Sequence, residues 1–299
     1  MVRAIRLPAL LDLVLVDDPE AILALAREPR LDRAYEPIGP LLNRIVVNRI
    51  RRTLQVNGTP LPTVAARGGE RPTPQQRELE ARLDALPPGA PCGETHLQAL
   101  SAHVRGLAEE RLLGPLVQEA VGRLFRPDYR GDAESWNAAR QLDAAVTSNN
   151  PLRRLAWRVT DRTGRARQEL ADRVDGDAAA LHATGIAVHN LVRAFERMRA
   201  LAERPGELRR LETSEAVALC LTAPETLIYQ ATGAGSTAGA SYRAGTLVLF
   251  RLERARARTL RADIAFMSGN WSRCPANGWV PRLLAAVWHR AASDHGGTD

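Results

Sequence analysis

The chain contains no lysine and little cysteine. All 41 residues counted together as lysine and arginine are arginine. The three cysteines, Cys92, Cys220 and Cys274, lie far apart in the sequence. An odd and sparse set of this kind argues against a disulfide framework and is typical of a reducing compartment. No two of the cysteines have the spacing of a structural zinc site.

Aromatic residues are also scarce, at 4% of the chain, although the net charge is +7. No arginine cluster alternates with aromatic residues, as it would in a nucleic-acid-binding surface. Basic and acidic residues alternate instead, as in Arg77, Glu78, Glu80 and Arg82, which is the pattern of a solvated helix face. We therefore do not expect a nucleic-acid partner.

Long apolar runs are absent, because no uncharged stretch reaches the roughly 18 residues that a membrane-spanning helix needs. Residues 1–20 combine two arginines with a short apolar stretch, but no small-residue cleavage site follows. Asp17, Asp18 and Pro19 indicate instead the end of a strand and the start of a helix. We expect a cytoplasmic protein without a membrane partner.

The sequence does contain a long succession of helical patterns. With 45% hydrophobic residues among 299, the chain can bury a large core. Residues 178–202 are apolar on nearly all sides, which predicts a central buried helix. We predict one domain over residues 1–299, mainly α-helical, with a small β annex near the C-terminus. Its named parts are a loop at 57–72, a β-rich part at 205–265, and a cysteine loop with the last helix at 266–299.

Apolar periodicity and turn residues also predict the individual elements. Further helices are expected at 18–29, 38–54 and 75–86, with breaks near 127, 149–151 and 175–176, and a last helix from about 277 to 292. Strands are expected at 12–16, 226–229, 245–250 and 264–266, with residues 233–241 as a turn-rich connector.

The stretch 266–275 carries candidate chemistry. An irregular loop containing Gly269 follows a predicted strand and delivers Cys274 to the start of the last helix. The free N–H groups and positive dipole end of a helix favour a thiolate, and a thiolate is a strong donor to haem iron. Phe266 and Trp271 are bulky enough to lie against a porphyrin face, and Gly269 allows the backbone to approach it. Alternatively, Cys274 is a small buried residue in a helix-start turn.

The order of these elements resembles the cytochrome P-450 family. In that family a Phe-x-x-Gly-x-x-x-Cys loop precedes the last long helix, and its cysteine binds the haem iron. Phe266 and Gly269 match the pattern, whereas Cys274 lies one residue late and Ala276 replaces a glycine. The resemblance implies a P-450-like helical fold, haem b as cofactor, Cys274 as the metal ligand and oxidoreductase activity. Similar segments at 13–33, 184–190 and 244–248 extend the resemblance over most of the chain.

The central helix departs from the family's pattern. The family carries there an acid–alcohol pair that relays protons to the iron site. Ala187 and Val188 occupy those positions, and neither side chain can donate a proton. The resemblance places them on the distal side together with His189, which either supplies a proton or packs against a neighbouring helix. The loss of the relay favours peroxide-driven or redox-neutral chemistry over reductive hydroxylation.

Two further family features are altered. The Glu-x-x-Arg pair that braces the cysteine loop is missing at its expected place, where Glu215 is followed by Ala218. Glu207 and Arg210 have the right spacing but lie too early, so we predict a helical surface pair. Haem propionates need cationic or hydrogen-bonding partners. The candidates are Arg273, His96, Arg105, Tyr229 and Arg243.

Other chemistries find little support. His96 and His103, like His182 and His189, are seven residues apart, which on a helix is about 10.5 Å and too far for one metal ion. No phosphate-binding loop or Gly-x-Ser-x-Gly elbow is present.

Three hypotheses therefore stay open. The first is a haem-thiolate enzyme that oxidises or rearranges a small apolar or amphipathic substrate, with a redox partner or a biosynthetic enzyme as its partner. The second is a haem-binding protein without turnover. The third is a haem-free accessory or scaffold protein of the same fold.

Overall fold

The computed structural model describes residues 1–64, 74–87, 89–148, 150, 152, 156–157 and 159–295. Within this part the chain is mainly helical, with three small sheets. Its backbone contacts divide it into two compact units. The sheet unit comprises Met1–Thr73 and Ala223–Cys274, and the helical unit comprises Pro74–Thr222 and Pro275–Asp299. The prediction of a single domain stays a prediction.

The main sheet of the sheet unit has five strands and combines strands from residues 2–32 with strands from residues 227–250. The strand order is β1-β2-β9-β6-β3, in which only β2 and β9 are parallel. Two short hairpins, β4-β5 and β7-β8, accompany this sheet. The strands are β1 (Val2–Leu7), β2 (Leu11–Val16), β3 (Leu31–Asp32), β4 (Gln55–Val56), β5 (Thr59–Pro60), β6 (Leu227–Ala231), β7 (Gly235–Thr237), β8 (Ala240–Tyr242) and β9 (Leu247–Phe250).

Burial alternates along β2, although its residues are nearly all apolar. Asp12, Val14 and Val16 are fully buried on one face, and Leu11, Leu13 and Leu15 on the other face are half-buried. In the parallel pair, Val14 lies beside Val248 and Val16 beside Phe250, so residues more than two hundred positions apart form one core.

Helices complete the sheet unit. They are α1 (Pro19–Arg27), α2 (Leu41–Thr53), α12 (Leu252–Thr259) and α13 (Ala262–Phe266), where the helices are numbered in chain order. The Asp18 side chain caps α1 by accepting from the N–H of Ala21 at 2.9 Å, and Pro19 occupies the first turn. This confirms the helix start predicted at Asp18 and Pro19.

The helical unit contains the remaining helices. They are α3 (Pro74–Asp84), α4 (Glu94–Val104), α5 (Leu113–Gly122), α6 (Ala133–Thr147), α7 (Arg162–Arg173), α8 (Ala178–His182), α9 (Val188–Ala202), α10 (Glu207–Arg210), α11 (Thr213–Cys220) and α14 (Trp279–His295). Short 3-10 turns lie at Glu110–Leu112 and Pro275–Asn277.

The predicted central helix is confirmed over residues 178–202. It consists of α8, a π-helical turn at Ala183–Ala187, and α9. Asp177 caps its start through the N–H groups of Ala179 and Ala180. α9 packs against α4 and α5, and the π-turn packs against α6. None of the helices in the described part of the chain is long and apolar enough to cross a membrane.

Several local predictions are wrong. Residues 264–266 belong to helix α13 and are not a strand. The prediction failed because three consecutive apolar residues show neither a helical nor a strand period. The predicted connector at 233–241 contains the hairpin β7-β8. The predicted loop at 57–72 contains strand β5 near its start. Its residues 65–72 lie outside the described part of the chain. The β-rich part at 205–265 holds four strands but also helices α10 to α13.

Candidate functional site

The cysteine loop runs from Phe266, the last residue of α13, to Cys274. The backbone N–H of Cys274 donates to the carbonyl of Phe266 at 2.8 Å, so the loop closes on itself. Inside it, the N–H of Arg273 donates to the carbonyl of Asn270 at 3.2 Å. Gly269 has φ +73°, a conformation that favours glycine, which explains this residue at the turn. The loop therefore holds Cys274 in a defined backbone position.

Cys274 is half-buried and forms no disulfide. In the chain it is followed directly by the 3-10 turn at Pro275–Asn277, and α14 begins only at Trp279. The last helix thus starts two residues later than predicted, and the cysteine precedes a 3-10 turn instead of the helix itself.

Aromatic side chains gather at Tyr229, which is fully buried on β6. Its ring meets that of Trp271 edge-on, with 5.8 Å between centroids, and that of Phe250 at 5.0 Å. The hydroxyl groups of Tyr229 and Ser272 are hydrogen-bonded to each other. The structure therefore brings together Tyr229 and Trp271, both predicted from the sequence, and adds Ser272, which sequence reasoning missed.

Asn270 and Arg33 are among the buried polar side chains of the sheet unit that have an unsatisfied atom within the described part of the chain. The amide of Asn270 is 8% exposed, and neither its oxygen nor its nitrogen finds a partner among the described residues. The Nε atom of Arg33 is also buried without a partner in that part of the chain. Unsatisfied buried groups are costly and often indicate a ligand or a water. Nothing in the local sequence marks Arg33, since one arginine among 41 basic residues carries no signal.

Arg243, another predicted propionate partner, has a different environment. Its Nε donates to the Asp12 carboxylate at 2.8 Å, and the Arg243 side chain as a whole is 64% exposed. The Asp12 carboxylate, fully buried, is also within 3.4 Å of Arg6. Arg243 therefore compensates a buried charge at the surface of the sheet unit, and its predicted role at a propionate stays a prediction.

The other two predicted propionate partners lie in the helical unit. His96 is buried on α4, with its Nε2 3.4 Å from Glu119 of α5, and burial lowers the pKa of this histidine. Arg105, just beyond α4, pairs with Asp294 of α14 at 3.5 Å. Both side chains thus have partners within the helix bundle.

The predicted distal residues lie where the π-turn passes into α9: Ala187 ends the turn, and Val188 and His189 begin the helix. Val188 is buried, and Ala187 is half-buried. The imidazole of His189 lies against Trp136 of α6, with 4.8 Å between ring centroids. Burial lowers the pKa of His189, which favours the neutral ring. The role of His189 as proton donor stays a prediction, and this contact favours the alternative of packing on a neighbouring helix.

A cluster of buried polar side chains forms hydrogen bonds with the π-turn. Gln118 of α5 donates from its amide nitrogen to the carbonyl of Thr184 at 3.0 Å and to that of Ser135 at 3.2 Å. The Ser135 hydroxyl donates back to the Gln118 oxygen at 2.7 Å. All three residues are fully buried, and the Thr184 hydroxyl donates to the carbonyl of Ala180 at 2.8 Å. Sequence reasoning did not identify this cluster, because its members come from three separate helices.

The Glu207 and Arg210 side chains form an ion pair along α10, and Arg210 is exposed. This confirms the predicted helical surface pair. Among the described residues, no group of three or more histidine, cysteine, aspartate or glutamate side chains could hold a metal ion.

No family model and no curated protein matches this sequence. The solved structures that resemble it are cytochromes P-450. One such enzyme, from Thermus thermophilus, is 13% identical, with a TM-score of 0.58 over 97% of this chain and 83% of that one. Wild-type cytochrome P-450 EX alpha, solved with myristic acid, is 12% identical, with a TM-score of 0.60 over 96% and 82%.

A third structure is cytochrome P-450 BioI in complex with an acyl carrier protein ligated to hexadec-9Z-enoic acid. It is 14% identical, with a TM-score of 0.56 over 97% of this chain and 86% of that one. At these identities the likeness establishes the architecture: this chain has the helical fold of the cytochromes P-450, with its small β annex.

Proposed function

We propose that this chain is a haem-thiolate protein in which Cys274 binds the iron of haem b. The observation that carries the proposal is the loop from Phe266 to Cys274, which closes on itself and presents a cysteine outside any disulfide. It does so in a chain with the fold of the cytochromes P-450.

The polar groups near this loop suit an anionic, flat cofactor. The buried amide of Asn270 belongs to the loop itself and has both a donor and an acceptor to offer. Arg33 contributes a buried positive charge beside Tyr229. Propionate carboxylates would be matched by such groups.

Bound haem would supply one-electron and oxygen chemistry, tuned by the electron donation of the thiolate. The residues of the chain decide how protons reach that site. The side chains of Ala187 and Val188, at the positions where the resemblance places the family's proton relay, carry no exchangeable proton, so they offer no relay of the usual kind. We therefore propose a peroxide-driven oxidation or a redox-neutral rearrangement in preference to reductive hydroxylation.

For the substrate we propose a small apolar or amphipathic organic compound. Two of the similar structures were solved with acyl groups, one as myristic acid and one on an acyl carrier protein. An acyl compound is accordingly the first class to test, and a redox partner or a biosynthetic enzyme is the partner we propose.

A haem-binding protein without turnover is the second candidate. The absence of a proton relay at Ala187 and Val188 favours it, since the same loss would follow if catalysis were no longer needed. Adding peroxide and an acyl substrate to the haem-loaded protein separates the two: product formation supports the enzyme, and intact substrate with unchanged haem absorbance supports the binding protein.

The cofactor itself is tested by titrating the purified chain with haemin. We expect the Soret absorbance to saturate at one equivalent, because one cysteine loop is available. A colourless protein whose spectrum shows no saturable binding of haemin would contradict the proposal and leave a haem-free scaffold.

A further inference from the structure

Arg33 is a charged side chain inside the sheet unit. It follows strand β3 and is only 7% exposed. Its guanidinium carbon lies 6.0 Å from the centre of the Tyr229 ring, and one of its terminal nitrogens donates to the hydroxyl of Thr63. Its Nε is buried and has no hydrogen-bond partner within the described residues.

No carboxylate of the described chain neutralises this charge. The nearest acidic residue in sequence, Asp32, uses its carboxylate to accept from the backbone N–H groups of Arg33 and Ala34. Among the ion pairs of the described residues none includes Arg33, whereas the other buried arginine, Arg256, pairs with Glu253 at 2.9 Å. Arg33 thus differs from Arg256, the other arginine buried in the described part of the chain.

An uncompensated guanidinium in the interior is unfavourable. Its removal from water costs more than a cation–π contact with one ring returns. Buried charges in proteins are therefore paired with an opposite charge. The five N–H donors of a guanidinium form a planar fork that matches a carboxylate in two parallel hydrogen bonds.

We propose that Arg33 is the anchor of a binding site for the carboxylate of a ligand. Tyr229 forms one wall of this site, and Thr63 orients the guanidinium from the other side. The site adjoins the cysteine loop, because the Tyr229 hydroxyl is bonded to Ser272 and its ring contacts Trp271.

Two ligands carry this chemistry: a haem propionate and a free carboxylic acid. The propionate case rests on the haem function proposed above, and the free-acid case does not. The shared feature is a carboxylate, and its source can be separated experimentally by blocking the acid group.

The test compares wild type with Arg33→Met, which keeps the side-chain length and removes the charge. Arg30→Met serves as the matched control, since Arg30 is exposed and lies three residues earlier. Each protein is titrated with haemin, with haemin dimethyl ester, with myristate and with methyl myristate. Binding is followed by Soret absorbance for the haemins and by calorimetry for the acyl compounds.

If a haem propionate binds Arg33, the Arg33→Met variant binds haemin about tenfold or more weakly than wild type does, which is the loss expected for a charge-assisted hydrogen bond. The same variant then binds haemin dimethyl ester as tightly as wild type does. A free acid at Arg33 lowers the affinity for myristate instead, with haemin unaffected. If Arg33→Met binds haemin and myristate as tightly as Arg30→Met does, the proposal is overturned. If no protein binds haemin, the haem function fails, and the myristate titration alone decides the role of Arg33.

A second measurement keeps the test decisive if Arg33→Met does not fold. The ¹⁵Nε resonance of Arg33 is followed in the wild-type protein during the same titrations. It must shift with myristate and not with methyl myristate, or shift differently with haemin than with haemin dimethyl ester. A resonance that responds to each acid as it does to the matching ester overturns the assignment.

Discussion

Buried amides of the sheet unit differ in whether their hydrogen bonds are made. Asn43 donates to the carbonyls of Asp12 and Gly245 at 2.7 and 2.8 Å and accepts from the N–H of Asp12 at 3.3 Å. The amide of Asn270, which is also buried, makes no hydrogen bond with the described residues. The Asn43 amide connects α2 to the sheet, whereas the Asn270 amide places a polar group in the cysteine loop without stabilising the loop.

This contrast predicts opposite effects of one substitution. Asn270→Leu should leave the free energy of unfolding of the haem-free chain unchanged or raise it by about 1 kcal/mol, because an unsatisfied buried amide is removed. Asn43→Leu, the matched control, should lower it by about 1–3 kcal/mol, because three hydrogen bonds are lost and their partners stay buried. Denaturant unfolding measures both values. Equal losses in the two variants would show that Asn270 is satisfied in the folded protein.

Single residues were the least predictable part of the candidate site. Trp271 was identified as a bulky residue of the cysteine loop and Tyr229 as a possible propionate partner in the β annex, and the two side chains do meet. Arg33 and Ser272 were not identified, because burial and charge pairing arise from tertiary contacts that composition does not encode. Arg105 pairs with Asp294, and its predicted role at a propionate stays a prediction.

At the level of elements, the central helix shows how a tertiary contact modifies a predicted helix. Its extent was predictable from its apolar residues, but the π-turn at Ala183–Ala187 was not. A π-turn adds one residue to the helix, so residues after it are rotated by about 100° relative to an uninterrupted α-helix. The amide of Gln118, inserted from α5 onto the Thr184 carbonyl, stabilises this arrangement.

We predict that Gln118→Met loosens the π-turn. With the donor removed, amide hydrogen exchange over residues 183–188 should accelerate by about tenfold, the effect of one lost buried hydrogen bond. Thr184→Val is the control at the same turn, because it spares the carbonyl that Gln118 contacts and should change this exchange much less. Exchange rates in Gln118→Met that match those of Thr184→Val would mean that the turn does not depend on Gln118.

Helix ends were predictable where a capping residue was present, and strands β2, β6 and β9 were predictable as short apolar or β-type runs. Strand β1 was missed because its exposed arginines obscure the pattern. The hairpin β4-β5 turns at Asn57 and Gly58, both with positive φ, and this dipeptide was a hairpin signal that the loop prediction overlooked. In β7-β8 the turn begins with Ala238, a residue that rarely adopts positive φ, so little in the local pattern indicated this hairpin.

For the whole molecule, buried histidines link stability to pH. Burial lowers the pKa of His96, His103 and His189 from the ordinary value of 6.5. The unfolded chain therefore binds more protons than the folded one below pH 6.5. Above pH 6.5 these histidines do not change the free energy of unfolding. Below pH 6.5 they lower it progressively as the pH falls.

We expect the free energy of unfolding to fall between about pH 7 and pH 5, and His189→Phe to make that fall shallower. Phenylalanine keeps a ring against Trp136 and cannot take up a proton. His289→Phe, at an exposed position of α14, should leave the slope as in wild type. Urea unfolding at several pH values gives the slopes. A His189→Phe slope equal to that of wild type would show that this histidine does not titrate differently in the folded chain.

The central claim concerns the sulfur of Cys274, and it can be tested by one spectrum of three proteins. Haem-loaded wild type, Cys274→Ser and Cys92→Ser are reduced under carbon monoxide, and their Soret bands are compared. Burial raises the pKa of the Cys92 thiol to about 12, so this second half-buried cysteine stays protonated and is a suitable control. A thiolate-type band in wild type and Cys92→Ser that disappears in Cys274→Ser is the predicted result. A wild-type band of the histidine-ligated kind, or a thiolate band that survives in Cys274→Ser, would contradict it.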